Sequence, residues 1–338
     1  MDEPPSNDNV GSKSWTVKRE GRKLYRVAGE FWRNEWVDPG EHSTRVRDDE
    51  LPINVFFITD ASGTRESSET LKGAGSWLWF RSDVMMALAH RRGGALHWYT
   101  RDTGGVRCSP DYDVHFGVNK IGLVNVYAKD IALLPEWQQR LWAGFNVSPE
   151  GGVSEELLAS QVRADPADTR APEEFLPKAI ELLNEIALEK FGFRLFRKHE
   201  QFATLVAQTH RFRSVDKTGF FSLAKDLARL TADSIDGSVL HKIVEPPKGE
   251  KWGSLKTLEN VISRKTGPER AKLLLGPLVG IYELRHGDAH LPGSDWSEAF
   301  KLAGVDPDIL FVSQGYQLLY GCVSSLYRIA EVLKEFDT

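Results

Sequence analysis

Four residues that could do chemistry stand close together late in the chain: Arg285, His286, Asp288 and His290, within the stretch RHGDAH that closes an otherwise apolar run. Arg285 continues the series Leu274, Leu278 and Ile281 at steps of three and four, so it takes a core-facing position of a helix. A guanidinium keeps its charge and is costly to strip of water, so at that position it requires a carboxylate, a carbonyl or a phosphate. Glu283, Asp288 or a neighbouring helix is one source of a partner, and an anionic ligand is the other. The imidazoles beside it bring proton transfer, since an unperturbed histidine titrates near ~6.5.

His290 follows Arg285 by five positions, and in an unbroken helix that is about 500° of rotation, leaving the two side chains roughly 140° apart. Gly287 lies between them and Pro292-Gly293 follow. A helix that kinks or ends there brings Arg285, His286 and His290 toward one place.

The elements that must hold this group read as helices. After residue 172, apolar spacing at three and four predicts helices at about 173–192, 198–209, 218–234, 237–244, 254–264, 268–286, 295–303 and 314–336. The last is marked by Tyr316, Leu319, Tyr320, Val323, Leu326, Tyr327, Ala330 and Leu333 on one face. Before residue 147 the pattern is different. Short runs such as INVFFITDASG at 53–63, SWLWF at 76–80, GALHWYT at 94–100, DVHFGV at 113–118 and GLVNVYAKD at 122–130 predict strands, with helices at RSDVMMALAHRR and LPEWQQRLWAGF. The expected fold class is α+β: a flexible tail at 1–13, a domain at 14–147 with a mainly antiparallel sheet that senses or binds a partner, a connecting segment at 148–172, and an all-α bundle at 173–338.

Composition narrows the function classes. A formal charge of −5 gives no global attraction to nucleic acid or an anionic membrane, so any polyanion site must be local. Only Cys108 and Cys322 are present, one in each half, which argues against a disulfide framework or a thiolate zinc site. No signal-peptide pattern and no apolar run of ~18 residues occurs, so a cytoplasmic protein without membrane association is expected.

The order Arg285, polar His286, three further residues and His290, in a late helix of a helical C-terminal half, resembles the R-x4-6-H signature of the HEPN superfamily. LRHGDAH is most similar to its abortive-infection C-terminal type. The likeness covers about 175–338 in architecture and these seven residues in sequence. It implies an endoribonuclease that needs neither metal nor cofactor, acts on RNA as a homodimer with facing motifs, and serves as a toxin of bacterial anti-phage defence answering to a phage- or operon-encoded protein. Under that resemblance His290 takes the proton of a ribose 2′-hydroxyl and Arg285 holds the phosphate oxygens as charge builds. His286 protonates the leaving 5′ oxygen or orients the phosphate, and Asp288 fixes an imidazole tautomer. The alternative is a catalytically inactive fold of the same type, a dimerisation or scaffold module beside a protein- or nucleotide-sensing domain.

Other features carry less. Lys190, Arg194, Arg197, Lys198, Arg211, Arg213 and Lys217 form a basic cluster interleaved with Phe193, Phe196 and Phe212, which reads either as an RNA track or as a solvated helix face. DASG at 60–63 and DTGG at 102–105 read as turns. His90, His97, His115 and Asp113 have no metal-ligand spacing, so no metal site is expected. The span from LWFRSDVMMAL to LPEWQQRLWAGFN is similar to an uncharacterised bacterial module, which implies a lineage and no activity.

Overall fold

Alternating residues in the first half can bury only one side of each strand, and the result is a six-stranded sheet. The computed structural model describes residues 9–19, 21, 24–34, 54–197, 200–287 and 296–336. The sheet comprises β5 (Trp77–Phe80), β6 (Ala95–Trp98), β7 (Thr103–Arg107), β8 (Val114–Val118), β9 (Val124–Tyr127) and β10 (Asn146–Val147), in the spatial order β10-β5-β9-β8-β7-β6. Every pairing in it is antiparallel. Its register sets Leu78 opposite Val126, Phe80 opposite Val124 and Phe116 opposite Val126, so these apolar side chains lie on one face. That face packs on α2 (Val84–Ala89), α3 (Ala128–Ala132) and α4 (Glu136–Ala143), and the Phe80 and Trp142 rings meet edge to face at 4.7 Å.

Two smaller hairpins precede the sheet. β1 (Asn9–Arg19) pairs with β2 (Leu24–Asn34), and β3 (Phe56–Ile58) with β4 (Arg65–Ser67), which leads into α1 (Ser68–Leu71). The strand at Asn9 revises the expected tail, because residues 9–13 are already paired. The DTGG stretch is a second correction: Thr103–Arg107 is an internal strand rather than a turn. A side chain at Gly105 would come within 2.4 Å of the His97 ring and 2.7 Å of Asp113, so this strand needs glycine for close packing, not for bending.

The second half is helical: α6 (Pro172–Phe191), α7 (Phe202–Gln208), a 3₁₀ turn (Arg211–Arg213), α8 (Lys217–Leu230), α9 (Gly237–Leu240), α10 (Ser254–Thr266), α11 (Pro268–Leu284), α12 (Ser297–Ala303) and α13 (Phe311–Lys334). The long α13 forms the spine. Its buried side is wider than the expected stripe, since Leu318, Cys322 and Ile329 join Leu319, Leu326 and Leu333 while Tyr320 faces solvent. The reason is that α6, α8 and α11 all pack against it, so one row of residues cannot fill the contact. Burial pushes the Cys322 thiol up to about 12, which fits a core residue rather than a nucleophile.

The halves are keyed together by the 3₁₀ turn. Phe212 belongs to the first core, stacked on Trp98 at 5.4 Å and edge-on to Phe116 at 5.8 Å. The Arg211 guanidinium lies between the Trp98 and Tyr316 rings, 4.2 and 4.5 Å from their centroids. It donates to both carboxylate oxygens of Glu173, from Nε at 2.8 Å and Nη2 at 3.0 Å, and from Nη1 to Asp102 at 3.3 Å. The segment at 148–172 contains α5 (Glu155–Gln161), whose Glu156 accepts bonds from Thr100, Thr169 and the Asp102 amide.

Candidate functional site

Helix α11 begins after Gly267 with Pro268 in its first turn, where a missing N–H costs nothing. Its stripe runs through Leu274, Leu278 and Ile281 into the core and stops at Leu284. Residues 285–287 leave the helix as a turn in which the Gly287 amide donates to the Leu284 carbonyl at 3.0 Å. A Cβ at Gly287 would lie 2.2 Å from the Phe221 ring of α8, so glycine lets the exit press directly on that helix. The helix end expected near Gly287 is therefore present. His290 and Asp288 lie outside the described residues, so their roles rest on the sequence pattern.

Arg285 sits where the stripe meets solvent. Its Nη1 pairs with Asp233, 52 positions earlier in the chain, in the turn after α8. The guanidinium lies 3.7 Å from the centroid of the Tyr282 ring, one helical turn back. Its Nε donates to His286 Nε2 at 3.0 Å, which requires the lone pair on Nε2 and so, in a neutral ring, the proton on Nδ1. Side-chain exposure is 18% for Arg285 and 39% for Asp233, so the pair forms a rim rather than a sealed contact. Of the partners considered from sequence, the neighbouring element supplies the carboxylate, and Glu283 does not.

Asp233 links this rim to the basic cluster. Residues 195–197 run antiparallel to 234–236: the Arg197 amide donates to the Ser234 carbonyl at 2.8 Å, the Asp236 amide donates to Leu195 at 3.0 Å, and Phe196 bridges Ile235. The Arg197 guanidinium reaches the Asp233 carbonyl from this strip. Arg194, Arg197, Phe196, Phe202, Leu230 and Ser234 help line a cavity of about 420 Å³. Arg194 also pairs with Glu181 at 2.8 Å in a half-exposed contact that contributes at most about 1 kcal/mol. Two arginines of the expected RNA track thus stand beside the turn that holds Arg285.

The rest of that track is dispersed. Arg211 is buried in the seam between the halves, with its donors engaged by Glu173 and Asp102, and is closed to an RNA backbone. Burial alone would raise the Glu173 pKa, but Arg211 more than offsets it and holds the carboxyl below its usual range. Arg213 is about one quarter exposed, with Nε 3.2 Å from Asp226, and it points to that carboxylate rather than to the cavity. Lys198 lies outside the described residues.

In the first half, register joins residues that their spacing does not. His97 Nε2 shares a hydrogen bond with the Tyr99 hydroxyl at 2.8 Å and lies 3.4 Å from Asp113, and His115 Nδ1 meets Gln161 Nε2 at 2.8 Å. Among the described residues no group of three or more His, Cys, Asp or Glu is arranged to hold a metal ion, and no helix is long and apolar enough to cross a membrane. Sequence reasoning missed Asp233, for which the chain offers no local signal. Tyr282 was findable, being three residues before Arg285 on one helix.

Compared with known proteins, the chain matches no family model, no curated protein and no solved structure.

Proposed function

We propose that this chain is a metal-independent endoribonuclease acting at the exit of α11, with Arg285 holding the scissile phosphate. One observation supports the reading above the others: a guanidinium at the end of a buried stripe is aimed by Asp233, Tyr282 and His286, yet part of it stays open at a rim beside Arg197 and the cavity. Such a fixed, partly desolvated cation is suited to oxygen atoms that gain charge in a transition state. In the reaction the ribose 2′-hydroxyl loses its proton and attacks the adjacent phosphorus, and the bond to the 5′ oxygen breaks. One product ends in a 2′,3′-cyclic phosphate and the other in a 5′-hydroxyl. His290 is the base in this reading. His286, whose Nε2 accepts from Arg285, protonates the leaving 5′ oxygen or orients the phosphate. Asp288 fixes an imidazole tautomer.

The wider setting rests on the resemblance of RHGDAH alone: a cytoplasmic homodimer, serving bacterial abortive infection and triggered by a phage- or operon-encoded protein. The test is direct. Purified protein is incubated with tRNA and mRNA pools in excess chelator, and the cleaved ends are sequenced. Wild type is expected to leave 2′,3′-cyclic phosphate ends, with Arg285→Ala and His290→Ala slower by about 10²-fold or more. Equal cleavage by all three proteins overturns the assignment.

The Arg285–Asp233 pair itself favours a second reading, a scaffold or dimerisation module in which the arginine only ties α11 to the turn after α8. That reading expects no cleavage by wild type under any trigger, and a change in stability or assembly on Arg285→Ala.

A further inference from the structure

The hairpin of β1 and β2 is charged against the rest of the chain. Residues 9–34 contain seven lysines and arginines and two glutamates, a formal +5, so the remainder must sum to −10 to give the total of −5. The hairpin forms its own two-stranded sheet, and among the described residues no third strand pairs with it. Such a ribbon is marginal in water without something to lean on. Yet Tyr25, Val27 and Phe31 are 64%, 73% and 74% exposed. Their cross-strand partners are Lys18, Thr16 and Ser12, so rings, a cation and hydroxyls share one face. Trp15, Val17, Lys13 and Arg26 share the other by the same register, with Trp15 and Val17 also exposed.

We propose that this hairpin is a grip for single-stranded nucleic acid, separate from the α11 rim and independent of any cleavage there. Exposed rings offer stacking surfaces to unpaired bases, and Lys18 on the face of Tyr25 and Phe31, with Lys13 and Arg26 on the face of Trp15, meets the phosphates. Tyr25 and Phe31, six residues apart on one strand, stand ~20 Å apart, a span for several nucleotides rather than one. A lipid surface fits less well, because it needs the apolar residues gathered on one side, whereas Trp15 and Phe31 stand on opposite faces of the ribbon. Pairing with the hairpin of a second copy would set like charges against one another.

The probe is a fluorescent 2′-O-methyl oligouridylate of twenty residues, which has no free 2′-hydroxyl and so binds without being cut, whatever the fate of the nuclease reading. Binding to the full chain is followed by anisotropy over a range of salt concentrations. Lys18→Gln with Arg26→Gln is expected to weaken binding and lower the salt slope by about 1.4, at ~0.7 per phosphate contact on a single strand. Tyr25→Ala with Phe31→Ala is expected to weaken it by roughly fivefold or more per ring, with the salt slope kept. The polar pair of substitutions controls for any loss of the hairpin itself, and an unchanged melting temperature controls for the body. Wild-type affinity in both variants overturns the proposal. So does unchanged oligonucleotide affinity accompanied by lost binding to phosphatidylserine vesicles, or by a changed sedimentation coefficient, since those outcomes assign the hairpin to lipid or to a second copy.

Discussion

Arg211 and Arg285 are built from the same parts and differ in closure. Each guanidinium lies on aromatic rings and pairs with carboxylates, but Arg211 has two rings, two carboxylates and a side chain 3% exposed. Arg285 has one ring, one described carboxylate and a side chain 18% exposed. The fully enclosed cation has no room for a ligand and serves the joint between the halves. The open one keeps a side on which an anion can land. What separates the architectural arginine from the one left open to a ligand is whether its partners surround it.

That contrast can be broken by experiment. The largest effect is expected at the closed site: Arg211→Met leaves the buried Glu173 without its cation, while Asp102 keeps Arg101, and urea unfolding should register a loss of about 3–5 kcal/mol. A loss under 1 kcal/mol would mean that the seam is wet in solution. Next comes acid sensitivity of the same region. His210, beside Arg211, has its pKa pushed down to about 4, first by burial and then by His90, Arg213 and Arg211, against a pull upward from Glu173. The unfolded chain therefore takes up a proton near ~6.5 that the folded chain refuses until about pH 4, so stability is full above that upper value and falls as pH drops through the window. At about 1.4 kcal/mol per unit the loss reaches a few kcal/mol. Glu173, with its lowered pKa, adds its own loss only below the usual carboxylate range. Unfolding curves between pH 7 and 4.5 should therefore flatten in His210→Asn, and an unchanged acid limb would show that the imidazole is not what titrates. The smallest effect on folding belongs to the open site. Arg285→Ala should cost about 1 kcal/mol or less, as expected for a partly exposed pair. A cost equal to that of Arg211→Met erases the distinction and favours the scaffold reading.

Helices were legible wherever one row of apolar residues faced one core, as in α11, whose stripe also located Arg285 as the residue needing a partner. The partner itself was not legible. Asp233 comes from a turn 52 positions away, and only packing of α8 on the α11 exit brings it there. Strands were legible where β-branched and aromatic residues alternate, and invisible where other needs prevailed. Glycines in β7 leave room for His97 and Asp113, so the strand reads as a turn. β1 and β2 bury little on either face, so they lack the in-and-out pattern that marks a sheet. Arg211 looked like part of a basic track because sequence reports charge and not enclosure.

One consequence follows from where Phe212 resides. By number it belongs with the helices, and in space it completes the cluster of Trp98 and Phe116. Cutting the chain in the segment at 148–172 would leave the first fragment with a vacant slot shaped for a phenyl ring and the second with a greasy peg in water. Two such fragments, expressed together, should find each other and reassemble, while either alone should precipitate.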